Sequence, residues 1–426
     1  MNAALVAGGG GLLILGLPIY LVLGVTAAVL LFVADTPMIA VTQKIVDELN
    51  SQTLIAVPFF VVAATFMERG GVAKALIDAA LSWVGQVRGG LGIVCVIACT
   101  IFAAMCGSSV ATALAMGTIL VPAMLREGYE RKFAAGIVGS SGTLGILIPP
   151  SLAMVVYGVL ADESVPRLFL AGVIPGILQA LLISGWIIFY ARRKGYRFNA
   201  GQSVSRGDFL ATNLRALPAL SIPVIVLGGI YGGIATVTEA AALSAVAAIL
   251  VSIICYRTVS IAGVVPLIAL ATRNAATIMI IIVTALIFGH WVTESGATAA
   301  IVDFARAQEL NAATFLVFVT LLFFVLGMFL EVFSVLLIAL PVLIPLLPEF
   351  GINPIQFGVI VTINMELALL TPPVGLNLFV LSSITKAPLA EVIAGIWPFV
   401  VLIALLLLAV MVMPGLSLWL PTLVLG

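Results

Sequence analysis

The sequence predicts an all-α polytopic membrane protein made of two structural repeats, each containing a re-entrant helical hairpin and a broken helix. Three observations carry this prediction. The chain of 426 residues is 63% hydrophobic and only 8% charged. Long apolar runs recur along it, and each is long enough to cross a hydrocarbon core of about 30 Å. Two double-proline motifs, Pro149-Pro150 and Pro372-Pro373, interrupt such runs at positions 223 residues apart.

The amino-terminal apolar run is interpreted as a first membrane span and not as a signal peptide. It extends over about 30 residues and lacks the basic region with which a signal peptide begins. The largest basic cluster, residues 192–197, follows the apolar run Leu168–Tyr190, and its positive charge predicts a cytoplasmic loop. This cluster belongs to a polar connector at 191–215. The connector separates a first repeat, 1–215, from a second, 216–426.

The same offset aligns residues outside the proline motifs. Four further pairs of identical residues lie 223 positions apart: Pro122 with Pro345, Gly128 with Gly351, Gly172 with Gly395, and Pro175 with Pro398. So many matches at one offset indicate an internal duplication. Matching interruptions in two halves of a membrane protein point to the binding site of a secondary transporter. The backbone groups that a break leaves free are tolerated at membrane depth only beside protein or a water-filled cavity.

Each broken helix follows an apolar segment with prolines or small residues part-way along it, as in a re-entrant hairpin. The first hairpin is predicted at about 100–125 and its broken helix at about 134–160. The second pair is predicted at about 325–348 and 356–384. Unwound tips and breaks offer carbonyl and hydroxyl oxygens, which suit Na⁺. The candidate Na⁺ ligands are small or polar residues: Gly107, Ser108, Ser109, Gly327, Asn364, Thr371, Gly375 and Asn377.

Two carboxylates, Glu331 and Glu366, lie inside apolar runs. A carboxylate at the bilayer centre costs about 2.5–3.5 kcal/mol on insertion scales, so it needs a partner or water. Both are candidates for coupling transport to an ion or proton. The alternative for each is a hydrated structural residue near a hairpin mouth. Glu239 is expected to cap a helix, and His290 is expected at the end of a span beside Trp291.

Composition and spacing exclude several other classes of function. A net charge of zero offers no basic footprint for nucleic acid. The cysteines and the single histidine lack zinc-ligand spacing, so we expect no cofactor and no metal besides Na⁺. Cys95, Cys99 and Cys106 lie on one helical stripe and are expected to pack as small apolar side chains, without disulfides.

One short motif raises the alternative of an enzyme. Residues 139–142 spell the G-x-S-G of an intramembrane serine protease, with His290 available as a base. The same small residues are also explained by close helix packing before a double-proline break. In addition, an intramembrane protease does not need two structural repeats. We therefore expect no enzymatic activity.

At four motifs the chain resembles the large membrane subunit of tripartite ATP-independent periplasmic (TRAP) transporters. The motifs are CGSSVATALAMG (106–117), SGTLGILIPPS (141–151), TVTEAAALSA (236–245) and LLTPPVGLNLFV (369–380). The likeness extends over essentially the whole chain. It implies an elevator-type carrier of the bacterial inner membrane, in which a transport domain with two hairpins moves against a static scaffold.

The resemblance also implies Na⁺ coupling and two protein partners: a small four-helix membrane subunit and a periplasmic substrate-binding protein. The implied cargo is a small carboxylate, such as a C4-dicarboxylate, sialic acid or another sugar acid. The substrate contacts implied by the matched motifs are Cys106, Ser108, Thr112, Gly142, Thr143 and Ser151. Many members carry Ser in place of Cys106 and Asp in place of Thr112, so the chain departs from the family at these two positions.

No arginine lies in either predicted hairpin or proline motif. The charge of a carboxylate substrate would then be neutralised by backbone N–H groups, helix N-termini and bound cations. We therefore expect substrate binding and Na⁺ binding to be strongly linked. Two other functions stay open at this point. One is a stand-alone Na⁺/dicarboxylate symporter or ion antiporter with two hairpins, and the other is a structural membrane scaffold, which would not need paired breaks.

Overall fold

The computed structural model describes residues 17–34, 50–84, 89–196, 206–296 and 311–426, with isolated residues at 11–12, 37–49 and 299–303. All regular structure in these ranges is helical. Nine helical segments of the described structure are long and apolar enough to cross a membrane, and one of them, Arg131–Leu160, contains the first proline pair. The chain is therefore an all-α polytopic membrane protein. The beginning of the first predicted span and residues 197–205 of the basic connector lie outside the described ranges.

The described helices are named here in chain order. They are α1 (Ile19–Val33), α2 (Gln52–Arg69), α3 (Val72–Val84), α4 (Gly90–Cys106), α5 (Ser109–Arg126), α6 (Arg131–Leu147), α7 (Leu152–Leu160), α8 (Val165–Lys194), α9 (Arg206–Tyr231), α10 (Val237–Leu250), α11 (Ile261–Glu294), α12 (Ala312–Phe329), α13 (Val332–Leu343), α14 (Pro354–Leu369), α15 (Leu376–Thr385), α16 (Leu389–Val412) and α17 (Gly415–Leu425). A π-helical turn, Val251–Cys255, extends α10, and two 3₁₀ turns, Ile344–Leu346 and Pro348–Phe350, follow α13.

Local side-chain chemistry sets several helix starts. The Ser164 hydroxyl accepts a hydrogen bond from the Arg167 N–H (3.5 Å) and begins α8. At the start of α10, Thr236 and Glu239 form a capping box, in which a Glu239 carboxylate oxygen accepts the Thr236 N–H at 2.8 Å. The expected capping role of Glu239 is therefore confirmed. Each such cap typically contributes about 1 kcal/mol, because it satisfies an N–H that has no partner within the helix.

The helices that precede the two proline pairs, α6 and α14, lie at the centre of the molecule. Every residue of α6 from Phe133 to Leu147 is buried, and so is every residue of α14 from Ile355 to Leu369. A helix that is apolar on all faces is stable only when it is surrounded by protein or lipid. Here α6 is covered by α4, α5 and α16, while α14 is covered by α12, α8 and α16.

The remaining helices pack in two groups. In one group, α2 lies along α10 and α11, α1 lies along α11, and α9 contacts α3 and α10. The other group contains α4 to α8 and α12 to α17. Contacts between the groups are made mainly through hairpin helices, since α2 touches α4 and α11 touches α13. The hairpins therefore lie where the two groups meet.

The hairpins are longer than the sequence predicted. The first, formed by α4 and α5, spans Gly90–Arg126, and the second begins at Ala312, where Asn311 caps α12. Proline and small residues in the sequence indicated where the hairpin tips lie. The apolar residues before each tip are uniform, so the sequence did not indicate where the first helix of each hairpin begins. Helix α4 ends at Cys106 and α12 at Phe329, again 223 positions apart. The duplication stays a prediction, and this coincidence of helix ends supports it.

The cysteines follow the expected pattern in three of four positions. Cys95, Cys99 and Cys106 are buried free thiols, and the Sγ atoms of Cys95 and Cys99 are 3.7 Å apart, consistent with one helical stripe. Cys255 is also free but exposed. His290 lies in the last turns of α11, which agrees with its predicted place near a span end.

Candidate functional site

The first hairpin turns at Gly107 and Ser108. Helix α4 ends with Gly107 at φ +62°, a left-handed conformation that glycine adopts without steric cost. Ser108 then caps α5: its hydroxyl accepts the Ala111 N–H at 3.4 Å, and its carbonyl accepts the Thr112 hydroxyl at 2.8 Å. Thr112, a predicted substrate contact, is fully buried. Its hydroxyl therefore stabilises the backbone of the tip at Ser108.

The second hairpin turns at Leu330 and Glu331. Leu330 has an extended backbone, and Glu331 occupies the cap position of α13. The Glu331 side chain is exposed although it lies part-way along an apolar segment. The carboxylate is therefore at the surface of the described structure, beside the tip of the second hairpin.

The two tips meet at one small cavity of about 30 Å³. That volume is close to the share of liquid occupied by a single water molecule. Its polar wall is formed by Gly107, Ser108 and Ser109 from the first tip and Glu331 from the second. Ile146 and Leu369, near the ends of the two broken helices, complete it. Hydroxyls, backbone groups and one carboxylate thus converge from residues more than 200 positions apart.

Each hairpin crosses to the other half of the chain. The second helix of the first hairpin, α5, packs on α15, while its counterpart α13 packs on α7. Because α7 and α15 are the segments that follow the two proline motifs, each hairpin is held by the break of the opposite half. This crossed packing is what brings the two tips together.

The first break is closed by local hydrogen bonds. Helix α6 ends at Leu147, the Pro149-Pro150 bond is cis, and Ser151 caps α7. The Ser151 hydroxyl donates to the Ile146 carbonyl at 2.5 Å and accepts the Met154 N–H at 3.4 Å. Ser151 is fully buried, so its hydroxyl serves the backbone of the break.

The second break is tied to the second tip. Helix α14 ends at Leu369, the Pro372-Pro373 bond is cis, and the Thr371 hydroxyl donates to the Leu367 carbonyl at 2.7 Å. Gly375 then caps α15, and its N–H donates to the Met328 carbonyl at 3.0 Å. This bond joins the break to the last turn of α12.

Two asparagines near the second break have unpartnered polar atoms. Asn377 is fully buried, and neither its amide nitrogen nor its amide oxygen has a hydrogen-bond partner within the described structure. The Asn364 amide donates to the Thr320 carbonyl at 2.7 Å, but its oxygen is also unpartnered. Buried polar atoms without partners are rare and often mark a bound ion or water. Neither asparagine lines the cavity between the tips.

The other predicted carboxylate lies in a closed cluster. Glu366 is fully buried, and a carboxylate oxygen accepts a hydrogen bond from the Gln179 amide of α8. Thr143 of α6 lies beside the same carboxylate and donates to the Ser140 carbonyl at 3.0 Å. The alternative of a hydrated residue near a hairpin mouth is therefore wrong for Glu366, because three helices seal it from solvent. The second carboxylate oxygen has no described partner.

Three further predicted residues make packing contacts. Gly142 lies against Ala113 of α5, where an added Cβ would be 3.4 Å from that side chain. Gly327 lies against α14, where a Cβ would be 2.6 Å from Ala368. Cys106 is buried at the end of α4. These residues let helices approach closely beneath the tips.

The structure also identifies two polar residues that the sequence interpretation missed. Gln179 lies in a strong apolar run, where a lone amide signals a need for a buried partner. Glu68, at the end of α2, lies close enough to the Cys106 thiol to interact with it electrostatically. The next residue is Arg69. A carboxylate from the other helix group thus lies near the end of α4 in the first hairpin.

Comparison with known proteins identifies the family. Residues 10–416 match the family model described as tripartite ATP-independent periplasmic transporter, DctM component. The chain belongs to this TRAP transporter family. It is 41% identical over 401 residues to the C4-dicarboxylate TRAP transporter large permease protein DctM of Pseudomonas aeruginosa, covering 94% of this chain and 93% of that protein. The chain is therefore a transporter permease subunit and not an enzyme.

Other TRAP large permeases of similar length are named for different substrates. The sialic acid protein SiaM of Vibrio cholerae is 32% identical, with 98% of this chain and 97% of that protein covered. The ectoine protein TeaC of Halomonas elongata is 30% identical, with 99% of each covered. A solved structure, the YdaH transporter of Alcanivorax borkumensis, shares the fold at a TM-score of 0.69 and 12% identity, with 95% of this chain and 98% of that chain covered.

Proposed function

We propose that this TRAP permease imports a small carboxylate across the bacterial inner membrane, driven by Na⁺ and supplied by a periplasmic binding protein. The observation that carries the proposal is the convergence of both hairpin tips on one cavity of about 30 Å³. Its volume suits a single dehydrated ion or water better than an organic substrate. Its wall offers hydroxyl and backbone groups beside the Glu331 carboxylate.

We propose two regions for Na⁺. The first lies between Ser108, Ser109 and Glu331, where a carboxylate and hydroxyl groups face one space. The second lies at the break before α15, where Asn377 has no partner for its amide oxygen. A cation in either region would raise the local positive charge. It would thereby help to bind an anionic substrate in a site whose hairpin tips and proline breaks have no arginine.

Glu331 is the proposed coupling carboxylate, and Glu366 is proposed to be structural. Glu331 is exposed at the cavity, so ions can reach it. Glu366 is sealed among α6, α8 and α14 and bonded to Gln179. A carboxylate that couples transport to an ion has to bind and release that ion in each transport cycle. The exposed position of Glu331 allows this exchange, whereas the buried position of Glu366 does not.

The two helix groups support an elevator mechanism. We propose that α1, α2 and α9 to α11 form the scaffold and that α4 to α7 and α12 to α15 form the moving carrier. Contacts between the groups run through hairpin helices, as between α2 and α4 and between α11 and α13. Helices α9 and α11 are among the least buried spans of the described structure, which makes them the proposed docking face of the small membrane subunit.

The experiment is uptake into proteoliposomes that contain this chain and its small subunit, with the purified binding protein outside. A panel of labelled carboxylates, beginning with succinate and sialic acid, defines the substrate. We expect uptake to need the binding protein and external Na⁺ when the membrane potential is clamped with K⁺ and valinomycin. Uptake that persists in choline chloride would contradict Na⁺ coupling. Uptake without the binding protein would favour the stand-alone symporter or antiporter instead.

Two matched variants test the assignment of the carboxylates. Glu331→Gln keeps the shape of the side chain but removes its charge, so we expect Na⁺-dependent uptake to fall at least tenfold, as the loss of about 1.4 kcal/mol of binding would require. Glu366→Gln is the control and should retain uptake. The opposite pattern, in which only Glu366→Gln fails while both proteins remain folded, would reverse the assignment.

A further inference from the structure

A second cavity, of about 750 Å³, lies away from the hairpin tips. Its walls come from α3, from the first half of α9 and from the segment that follows the π turn after α10. None of the residues predicted to bind substrate or Na⁺ lines it. It is therefore separate from the transport site described above.

Helix α3 gives the cavity one charged wall. Val72, Leu76 and Ile77 are buried on the inner side of this helix, whereas Lys74 and Asp78 are exposed on its other side and face the cavity. With 13 residues, α3 is too short to cross the hydrocarbon core. A short helix with one apolar and one charged side is typical of the membrane–water interface.

Hydrogen bonds hold the walls together without using the cationic groups. The Trp83 indole donates to the Asn213 amide oxygen at 2.6 Å, and the Asn213 amide donates to the Ser82 hydroxyl at 3.1 Å. These bonds join α3 to α9. On the opposite wall, the Tyr256 hydroxyl donates to the Arg215 carbonyl at 2.9 Å. The cavity is thus preformed, and the side chains of Lys74 and Arg215 stay available.

The charges in the cavity favour an anion. Lys74 and Arg215 both interact with Asp78 through space, but none of the three makes an ion pair within the described part of the chain. Burial raises the pKa of Asp78, an effect that the two cations oppose. Two cations against one carboxylate leave a positive balance. The hydroxyl group of Thr212 adds a further hydrogen-bond donor.

We propose that this cavity binds the phosphate headgroup of an anionic phospholipid, with Lys74 and Arg215 as its cationic contacts. A guanidinium and an ammonium together offer the charged donors that phosphate oxygens accept. Basic pockets between membrane helices are known to bind anionic lipid headgroups. The volume of the cavity accommodates a headgroup, and the exposed apolar side chains Leu214 and Leu217 on α9 offer a surface for the acyl chains.

The position of the cavity supports a lipid over a soluble anion. Helix α9 begins at Arg206, within the polar connector at 191–215, and Arg215 is the last residue of that connector, on the side of α9 that leads to the membrane surface. The cavity joins α3, which leads into the first hairpin and packs on its helix α4, to α9 and to the segment after α10. A lipid phosphate bound to Lys74 and Arg215 would bridge α3 and α9. This inference does not depend on the transported substrate or on Na⁺.

The test is lipid binding by the whole purified chain in detergent, measured by native mass spectrometry and thermal shift. Phosphatidylglycerol is compared with phosphatidylcholine and with inorganic phosphate. We expect phosphatidylglycerol to bind preferentially. Lys74→Gln and Arg215→Gln should each weaken its binding about tenfold, the equivalent of one charge-assisted hydrogen bond. The double variant should lose the preference, while Asp78→Asn should strengthen binding.

Arg126→Gln is the control, because Arg126 is an exposed cation outside the cavity. It should bind phosphatidylglycerol like the unmodified chain. Unchanged binding by the folded double variant would overturn the proposal. Protection by inorganic phosphate as strong as that by phosphatidylglycerol, with the same dependence on Lys74 and Arg215, would identify a soluble anion site and overturn the lipid assignment.

Discussion

Met328 and Gly375 are joined by a backbone hydrogen bond, in which the Gly375 N–H donates to the Met328 carbonyl at 3.0 Å. Met328 lies in the last turn of α12, and Gly375 begins α15 after the second proline pair. The bond therefore couples the position of the second hairpin tip to the geometry of the second break. A change in one should move the other.

Gly375→Ala tests this coupling. Gly375 has φ +53°, and a Cβ there would lie 2.7 Å from the Thr371 carbonyl oxygen. A left-handed conformation costs a residue with a Cβ roughly 1–2 kcal/mol, and the close contact adds to that. We expect a lower melting temperature and strongly reduced uptake. Gly415→Ala is the control, since a Cβ at Gly415 meets nothing within 4 Å. Equal effects of both changes would contradict the role of Gly375.

Removal of Na⁺ should destabilise the chain through Asn377. If Na⁺ occupies the region of this unpartnered amide, replacement of Na⁺ by choline should lower the melting temperature. At 100-fold excess over its dissociation constant, a ligand stabilises by about 2.7 kcal/mol. Asn377→Leu should reduce this Na⁺ effect to the part that comes from the region between the tips, and should stabilise the chain in choline, because an apolar side chain replaces two unpartnered polar atoms.

Ser417→Ala is the matched control for Asn377→Leu. The Ser417 hydroxyl is also buried without a described partner, but it belongs to α17, away from the second break. The Na⁺-dependent shift in melting temperature should therefore persist in Ser417→Ala. If Na⁺ raises the melting temperature of Asn377→Leu as much as that of the unmodified chain, Asn377 does not bind the ion.

Gln179 and Glu366 should behave as a structural pair. Glu366→Gln keeps an acceptor for the Gln179 amide, so we expect a nearly unchanged melting temperature. Glu366→Leu leaves that amide buried without an acceptor, at a cost of about 1–3 kcal/mol. Thermal unfolding of the two variants in detergent measures the difference. An equally stable Glu366→Leu protein would show that the hydrogen bond contributes little.

The Glu130 cluster predicts a stability that depends on pH. The Glu130 carboxylate pairs with Lys194 at 2.8 Å and with Lys132 at 3.2 Å. The hydrogen bond from Lys194 is the main cause that holds the pKa of Glu130 below its ordinary value of 4.5. A lowered carboxyl pKa means stability that is present above the ordinary value and is lost as the pH falls through the folded-state pKa.

Glu130→Gln should therefore lower the melting temperature slightly at pH 7, by the equivalent of at most about 1 kcal/mol for so exposed a group. The difference from the unmodified chain should shrink below pH 4.5, where Glu130 itself becomes neutral. Melting curves between pH 7 and pH 4 provide the measurement. A difference that does not change with pH would assign the effect to shape and not to charge.

The sequence was most informative where covalent chemistry restricts the backbone. The proline pairs predicted that α6 and α14 would end before Pro149 and Pro372, because proline lacks the N–H that a continuing helix needs. The charge of Glu331 in an apolar run predicted an accessible place for it, since a buried charge is costly. These are local constraints, and each can be read from a few neighbouring residues.

Contacts between residues that are far apart in the sequence could not be predicted in the same way. Nothing in the sequence near Gln179 identifies Glu366 as its acceptor, because their contact depends on how α8 crosses α14. Lys74 and Arg215 are 141 positions apart in the chain and share a cavity only after α3 packs on α9. The sequence likewise grouped Asn377 with Ser108, whereas in the structure Asn377 does not line the cavity between the tips.

The narrowness of the space between Ser108 and Glu331 has a consequence for capture of cargo. At about 30 Å³ it holds roughly one water, and a four-carbon dicarboxylate is several times larger. A passenger of that size can enter this space only after the hairpins have separated. If the proposed substrate binds between the two tips, a covalent link between α5 and α13 should therefore abolish uptake of every organic substrate, whatever its chemistry.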